Sequence, residues 1–494
     1  MGNGPGGLKE YIELFRSEPL FQGGLVWEWN NHGLLKKEGD LEYYAYGGDF
    51  GGVPNNADFV MDGLTLSDHT PMPSLLEYAK IIQPVSVVLT EDKKQMVVTN
   101  HYDFVDLGRL DASWHIVQDG KTTEAQGLDL PRVPAGENRT VDLPLDKETF
   151  PQEAWLTVEF RLKKDTAWAE KGHIVAWDQL HLAGTDRKRS STRTIVTRDA
   201  TGLEVQQDRT KLNVKNGKST IGFDLLQGNV TWEVDGVNLF HRGPELYFYR
   251  AMTQNDESSD GNMADWNEAK VPMMHTQVRD VTWKTSDNNE FTIHFKVRVA
   301  PKVLEWGVEA DMIYTITANE PSLRVKASGE FVGKNTPSVI PRIGLLTIMP
   351  EEFNEVSWFG RGPGENYKDS KQACRFGQYE STVPELFTHY DYPQENGNRE
   401  DLRWLQVSSG AVTLDVRRAG ENATAPFSFT AGRYMPFDLD DAKHPYDLKP
   451  LDMTILNLDY DNHGLGSASV GPRPFEKYRC KTEPFDFTFE MSLV

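Results

Sequence analysis

The sequence predicts a mainly β protein with a short α/β piece at its start, and three observations carry that expectation. From Val85 onward, apolar and polar residues alternate at period two in run after run of strand length. Tight-turn dipeptides such as Asp119-Gly120, Asn216-Gly217 and Asp235-Gly236 separate the runs. Before Pro84 the rhythm is different: loop, amphipathic helix, apolar run, polar loop, second helix.

In chain order, Leu8, Tyr11, Ile12 and Phe15 fall on one helical face and predict a helix over 8–15, broken by Ser17, Glu18 and Pro19. The apolar run 23–29, ending in Asn30 and Asn31, predicts a buried strand. A second short helix is expected near 75–82, entered through Pro71 and Pro73 and closed by Pro84. Strands are then expected at 85–89, 95–104, 113–117, 140–143, 155–162 and 173–182. About 100 residues of this pattern suit an immunoglobulin-like β-sandwich, here without the Cys…Trp…Cys signature. Residues 183–194 are polar, basic and small, and read as a linker. Further strands are expected at 194–197, 212–214, 219–223, 230–234, 291–299, 312–318, 322–331, 402–408, 411–417 and 485–491. About 300 residues of antiparallel strand suit one large sandwich. The organisation is therefore 1–84, 85–182, the linker, and 195–494.

The formal net charge of -22, from 52 basic and 74 acidic side chains, is spread along the chain. Such a surface repels phosphate backbones and anionic lipids, so neither nucleic acid nor membrane is an expected partner; a neutral substrate or a protein fits better. The 12 Trp suit stacking on sugars, although most such rings fill cores. Two cysteines, Cys374 and Cys480, make no disulfide scaffold, and no Cys/His cluster has zinc spacing. The start, MGNGPGGLKEY, shows no basic region followed by an apolar one, and no run of about 18 apolar residues occurs, so the expectation is a cytoplasmic protein.

Function concentrates in loops where Gly meets Asn, Asp, Glu and aromatics. The stretch from Leu20 to Pro73 is the densest, and four clusters follow within the predicted large sandwich: YRAMTQNDE (249–257), WFGRGPGENYKDS (358–370), YPQENGNREDLRW (392–404) and HGLGSASVGP (463–472).

These strings carry a resemblance. FQGGLVWEWNNHGL, YAYGGDFGGVPNNADFVMDGL and SDHTPMP resemble the last third of the catalytic barrel of family-2 β-galactosidases. FYRAMTQND, GRGPGENYKDS, YPQENGNREDLRW and HGLGSASVGP resemble that family's C-terminal domain, in the same order. The resemblance implies that 1–84 is the end piece of a (β/α)8 barrel, 85–182 an immunoglobulin-like sandwich, and 195–494 a large galactose-mutarotase-like supersandwich. It implies hydrolysis of terminal β-galactosides such as lactose with retention, which needs two carboxyl groups about 5–5.5 Å apart. In the family the nucleophilic Glu stands a few residues before a Met-Gly-Asn string, here Met1-Gly2-Asn3. The nucleophile, the acid/base Glu and the magnesium ligands are therefore expected upstream of this sequence. A whole (β/α)8 barrel takes about 250 residues, so Leu25, Val26 and Trp27 are expected to lack cover.

Residue by residue, the resemblance places Trp27 at the floor of the galactose pocket and Asn3 beside the site. It makes Phe59 and Asp62 part of a sodium site and puts Asn55 near a second magnesium. It makes Glu395 and Asn396 part of a loop that closes the site or seals a domain interface. Val470 falls where some members stack an aromatic on the aglycone. Glu28 and Asp49 lie in the same region as hydroxyl- or partner-orienting carboxylates. Sodium and magnesium are the expected cofactors. A galactoside, a complementing N-terminal chain and a second copy are the expected partners. The alternative is a non-catalytic carbohydrate-binding or regulatory protein that keeps the aromatic floor; a sugar-epimerising activity has only fold analogy behind it.

Overall fold

Alternation at period two becomes antiparallel sheet along most of the chain. A computed structural model describes residues 2–118, 120–145, 150, 152–183, 202–286, 289–318 and 320–494. Met1, the predicted linker beyond residue 183 and the predicted strand 194–197 lie outside the described residues.

The first helix runs Leu8–Ser17, opened by Gly7 at φ 76. A left-handed turn there suits a residue without Cβ. The Gly7 N–H donates to the Asp369 carbonyl and the Gly6 N–H to the Gly466 carbonyl, which fastens the segment to loops near the end of the chain. A Cβ on Gly6 would meet Gly466 N at 2.3 Å, so only glycine permits this approach. The second helix runs Pro73–Ile81 with Pro73 in its first turn, where its missing N–H has no partner to lose.

Between the helices the expected strand at 23–29 does not form. No strand among the described residues lies alongside 23–27, and an extended segment without a neighbour leaves its backbone groups to water. Leu25 is 100% exposed and Trp27 77%, so the expected loss of cover is borne out. Only 28–31 is tied down: the Glu28 N–H donates to the Asp62 carbonyl (3.0 Å) and Asn30 forms a parallel bridge with Thr65. A hairpin of Leu34–Glu38 and Leu41–Ala45 follows, turning through Gly39 at φ 64 and Asp40.

The second unit packs two small sheets on one core. In one sheet Ala154–Leu162 lies between Ile174–Ala183 and Leu110–Gln118; in the other Gln95–Asn100 lies between Val85–Leu89 and Asn138–Asp142. Val85, Met96, Val98, Leu156, Val158 and Phe160 fill the space between. The strand expected to reach 104 stops at Asn100, whose side chain accepts from the Tyr102 N–H and donates to the carbonyls of Val105 and Val133. Those bonds replace ladder partners and end the strand.

The last unit holds three sheets around one continuous core. Glu204–Asp208 through Val237–Phe240 form a five-stranded meander. A nine-stranded sheet runs from Met274–Ser286 at one edge to Arg375–Thr382 at the other. A second five-stranded sheet carries Arg342–Pro350 and Met453–Asn462 side by side. Trp232, Phe291, Trp306, Leu345, Trp358 and Phe489, drawn from all three sheets and their loops, belong to one cluster of buried side chains. The strand expected at 402–408 divides: Arg399–Leu402 joins the five-stranded sheet and Trp404–Ser408 the nine-stranded one. Asp401 at φ 62 lies in the register shift of the first strand, and Arg403 separates the two. Cys374 and Cys480 are both buried and free.

Charged pairs lock the second unit to the third. Arg403 donates to both oxygens of Glu153 (2.8 and 2.7 Å), Arg375 donates to Glu159 (2.5 Å), and Trp155 stacks on Phe376. From the second helix, Glu77 accepts from the Gln372 and Ala373 N–H groups. Arg403→Ala would leave Glu153 buried without its fork of donors. The expected result is a loss of about 3 kcal/mol, read as a lower midpoint in urea unfolding, with most of it recovered in Arg403→Met/Glu153→Leu.

Candidate functional site

The four polar clusters singled out in the sequence converge on the face where the 2–84 segment docks. Asn255 donates to the carbonyls of Leu465 and Gly466 and accepts from the Ser469 N–H. Asp369 accepts from the Leu465 and Gly466 N–H groups. Asn398 donates to the Asn366 carbonyl and to Glu400. Arg250 pairs with Asp256 at 2.8 Å, and Arg342 lies 3.6 Å from Glu395 and 3.3 Å from Asp459; all five are buried.

The predicted site residues divide into a seam and a rim. Asn3 is in the seam: its backbone N–H donates to Gln394 Oε1 (3.0 Å) and its side chain to the Glu395 carbonyl (2.8 Å). Buried in this way, it positions the 392–398 loop. Glu395 and Asn396 are buried too. Asn396 accepts from the Thr388 N–H and donates to the Gln394 carbonyl, bonds that brace the loop from within. Asp49 accepts from the Tyr46 N–H and pairs with His444 Nε2 at 2.9 Å, again joining the segment to the sandwich.

On the rim, Trp27 and Phe59 present exposed rings. Val470 is exposed as well, on a loop without a ring to offer. Asp62 is only 5% exposed, and its Oδ1 has no hydrogen-bond partner among the described residues. Burial, and then the charge of Glu28, raise its pKa above the ordinary carboxylate value. His32 Nε2 stands 2.9 Å from Glu28 Oε1. One ligand atom from each of Glu28, His32 and Asp62 falls within a group no wider than 4.8 Å. The orphaned oxygen of Asp62 fits a cation ligand. Asn55 closes its own turn, its Nδ2 donating to the Gly52 carbonyl and its Oδ1 accepting from the Ala57 N–H.

Sequence reading missed the electrostatics of the seam. Gln254 donates to Asp58 across the interface (2.6 Å), and Tyr392 OH lies 3.2 Å from Glu257 Oε2. Burial, reinforced by Asp58, pushes Glu257 up to about 7. Glu400 and Asp459 are also pushed up to about 7, each first by burial. Asp401 goes the other way: burial opposes its charge, but Lys371 and Arg361 hold it at about 2. Burial, beside Arg250, drives His463 well below the ordinary imidazole value. The signal available beforehand was the density of Asp, Glu and Asn in the four clusters. It located the seam without saying which members pair.

Comparison with known proteins gives this architecture a class. The TIM barrel domain of glycosyl hydrolases family 2 matches residues 1–87, and β-galactosidase domain 4 matches 96–183. The β-galactosidase small chain matches 215–491, more than half of the sequence, and the chain belongs to that family. The β-galactosidase of Kluyveromyces lactis is 32% identical over 505 residues, which cover 100% of this chain and 46% of that protein. That of Arthrobacter sp. is 29% identical, covering 98% and 48%, and that of Priestia megaterium 30%, covering 98% and 45%. The chain thus spans about half the length of the curated relatives it matches. A putative aldose 1-epimerase from Escherichia coli K12 overlaps 59% of this chain and 99% of its own at 9% identity and a TM-score of 0.30, too weak a likeness to carry an argument.

The raised carboxyl of Glu257 fixes a pH dependence. A folded-state pKa of about 7 against an ordinary 4.5 means that the folded protein holds the proton more tightly. The resulting stabilisation is complete below about pH 4.5 and is lost as pH rises through about 7. Glu257→Gln is expected to raise the Tm at about pH 8 by a few degrees and leave it nearly unchanged at about pH 4.5, as read by thermal melts at the two values.

Proposed function

We propose that this chain forms the far wall of a retaining β-galactosidase site, and that the carboxylates doing the chemistry come from a complementing N-terminal portion. Family membership supports the activity class, and the exposed ring of Trp27 is the single observation that carries the role of this chain. The Trp27 indole stands outside, next to the tied-down stretch 28–31, and is available to stack on a sugar face and exclude water from it.

Glycoside hydrolysis with retention needs one carboxylate to attack the anomeric carbon and one carboxyl group to protonate the leaving oxygen. Neither role is assigned to Glu28 or Asp49. Glu28 stands against His32, and Asp49 joins His444 and the Tyr46 backbone. Trp27 would position the galactose ring, and Asn3 holds the 392–398 loop. Asp62, with Phe59 beside it in sequence, would hold sodium, which when bound supplies a hard positive charge that orients sugar hydroxyls. The partner surface is the uncovered apolar side chains of Leu25, Val26 and Trp29, which call for a cover. The seam lies behind this wall, so the 2–84 segment arrives already fixed for assembly. No helix among the described residues is long and apolar enough to cross a membrane, and with the acidic surface this supports a cytoplasmic enzyme acting on a neutral sugar.

The purified chain is expected to give no turnover of a chromogenic β-galactoside by itself, and turnover on mixing with the N-terminal half of a relative's β-galactosidase. Turnover by the chain alone would overturn the assignment of the carboxylates; a mixed pair that assembles without activity would leave a sugar-binding role only. In an active pair, Trp27→Ala is expected to weaken galactose binding about tenfold or more, measured as the inhibition constant of galactose.

A further inference from the structure

We propose that residues 23–27 are the centre of a closed dimer, pairing antiparallel with the same segment of a second copy about a two-fold axis at Leu25. The segment has a free edge. No hydrogen bond among the described residues reaches the backbone of 23–27, and Leu25, Val26 and Trp27 are all exposed. The stretch that follows is fixed: the Glu28 N–H donates to the Asp62 carbonyl (3.0 Å), and the Leu64 N–H to the Glu28 carbonyl (2.9 Å). In an extended chain the backbone groups of alternate residues point to opposite edges. Residue 28 turns its groups toward 62–64. Residues 23, 25 and 27, once extended, turn theirs the other way, to an edge with no strand alongside among the described residues.

The sequence is complementary to itself in this register. With Leu25 opposite Leu25 of the second copy, Trp27 stands opposite Gly23 and Trp29 opposite Phe21, all on one face. Gln22 stands opposite Glu28 on the other face, so each carboxylate meets an amide donor and the two Glu28 side chains stay apart. Nothing in the chain lies within 4 Å of a Cβ built at Gly23, so the space over it is open to an indole from outside. The helix Leu8–Ser17 backs the opposite face, where a Cβ on Gly24 would meet the Phe15 ring at 3.0 Å. Gly23 stands at φ 116 in the unpaired chain, and a glycine crosses from there to extended backbone without the clash of a Cβ.

A two-fold pairing is closed: each copy offers this edge once, and assembly stops at two. It covers Leu25, Trp27 and Trp29, which a single copy leaves in water. The formal charge of -22 on each copy opposes association, but Glu28 is the one charged residue from Leu20 to Trp29. The repulsion is therefore long-range and is screened by salt. Leu25, Val26 and Trp29 are also the side chains that meet the complementing portion. On that reading, and only there, the dimer is a resting form that complementation must open.

The test uses the chain alone at micromolar concentration. Light scattering is expected to give the mass of two chains, and of one chain in Leu25→Lys, which sets two ammonium groups face to face at the axis. Leu25 is fully exposed in the single copy, so Leu25→Lys is expected to keep the wild-type circular dichroism. Under mild oxidation, Leu25→Cys is expected to form a disulfide-linked dimer at least about tenfold faster than Val26→Cys or the distant, exposed Phe104→Cys. The native Cys374 and Cys480 are buried and do not compete. A single-chain mass for the wild type, a dimer that persists in Leu25→Lys, or cross-linking of Val26→Cys as fast as Leu25→Cys would each overturn the proposal. Neither a galactoside nor a complementing chain is present, so failure here leaves the β-galactosidase reading standing.

Discussion

One carboxylate oxygen gathers three of the hydrogen bonds that hold the barrel piece to the sandwich. Asp391 Oδ2 accepts from the Asn31 side chain (2.9 Å), the Ser67 N–H (2.9 Å) and the Ser67 hydroxyl (2.7 Å), and all three residues are buried. An ion taken out of water must be met by donors, and here the donors come from a different part of the chain than the acceptor. Asn31 then passes the constraint on, because its Oδ1 accepts from the Gly63 N–H and so fixes 28–32 against 60–65. The posture of Glu28 and Asp62 depends on that linkage. An apolar contact would tolerate sliding; a carboxylate with three directed donors does not.

The same rule organises the rest of the seam. Gln394, Glu395, Asn396 and Asn398 could have been a mobile polar loop, but each is enclosed and engaged. Burying so many polar groups makes the fit specific, since a partly satisfied network costs more than an apolar one. Glu257, Glu400 and Asp459 show the residual strain of that solution: each sits where its charge is disfavoured, and each keeps its proton to near neutrality.

Much of the fold was legible because strand periodicity is a local signal. The strand expected at 219–223 forms as Ser219–Asp224 with alternating burial, and that at 322–331 as Ser322–Val332. The helix expected at 8–15 forms and extends to Ser17. What failed was whatever depended on a neighbour. The run 23–29 has the composition of a buried strand, yet a strand exists only when another pairs with it. The break at Arg403 depends on two sheets competing for one segment. Arg342–Pro350 and Met453–Asn462, absent from the sequence expectations, are buried with little alternation, so period two could not reveal them. At the site, the residue types were legible and the pairings were not. Asn3 and Glu395 are separated by 392 positions, and no spacing rule connects them.

The nine-stranded sheet places Phe485–Leu493 between Ser322–Val332 and Thr413–Arg418. The strand synthesised after the other eight is therefore an interior member of the sheet, and until it emerges two finished halves face each other across an open slot. During translation each half shows two lines of unsatisfied backbone groups, the kind of edge that recruits strands from other chains. Closure must wait until Phe485–Leu493 has been made, and the pairing it completes spans more than 150 residues on one side. Assembly of this protein is thus paced by the ribosome's last few codons for the sheet, and a nascent chain stalled before them would be an aggregation hazard rather than a partly useful product.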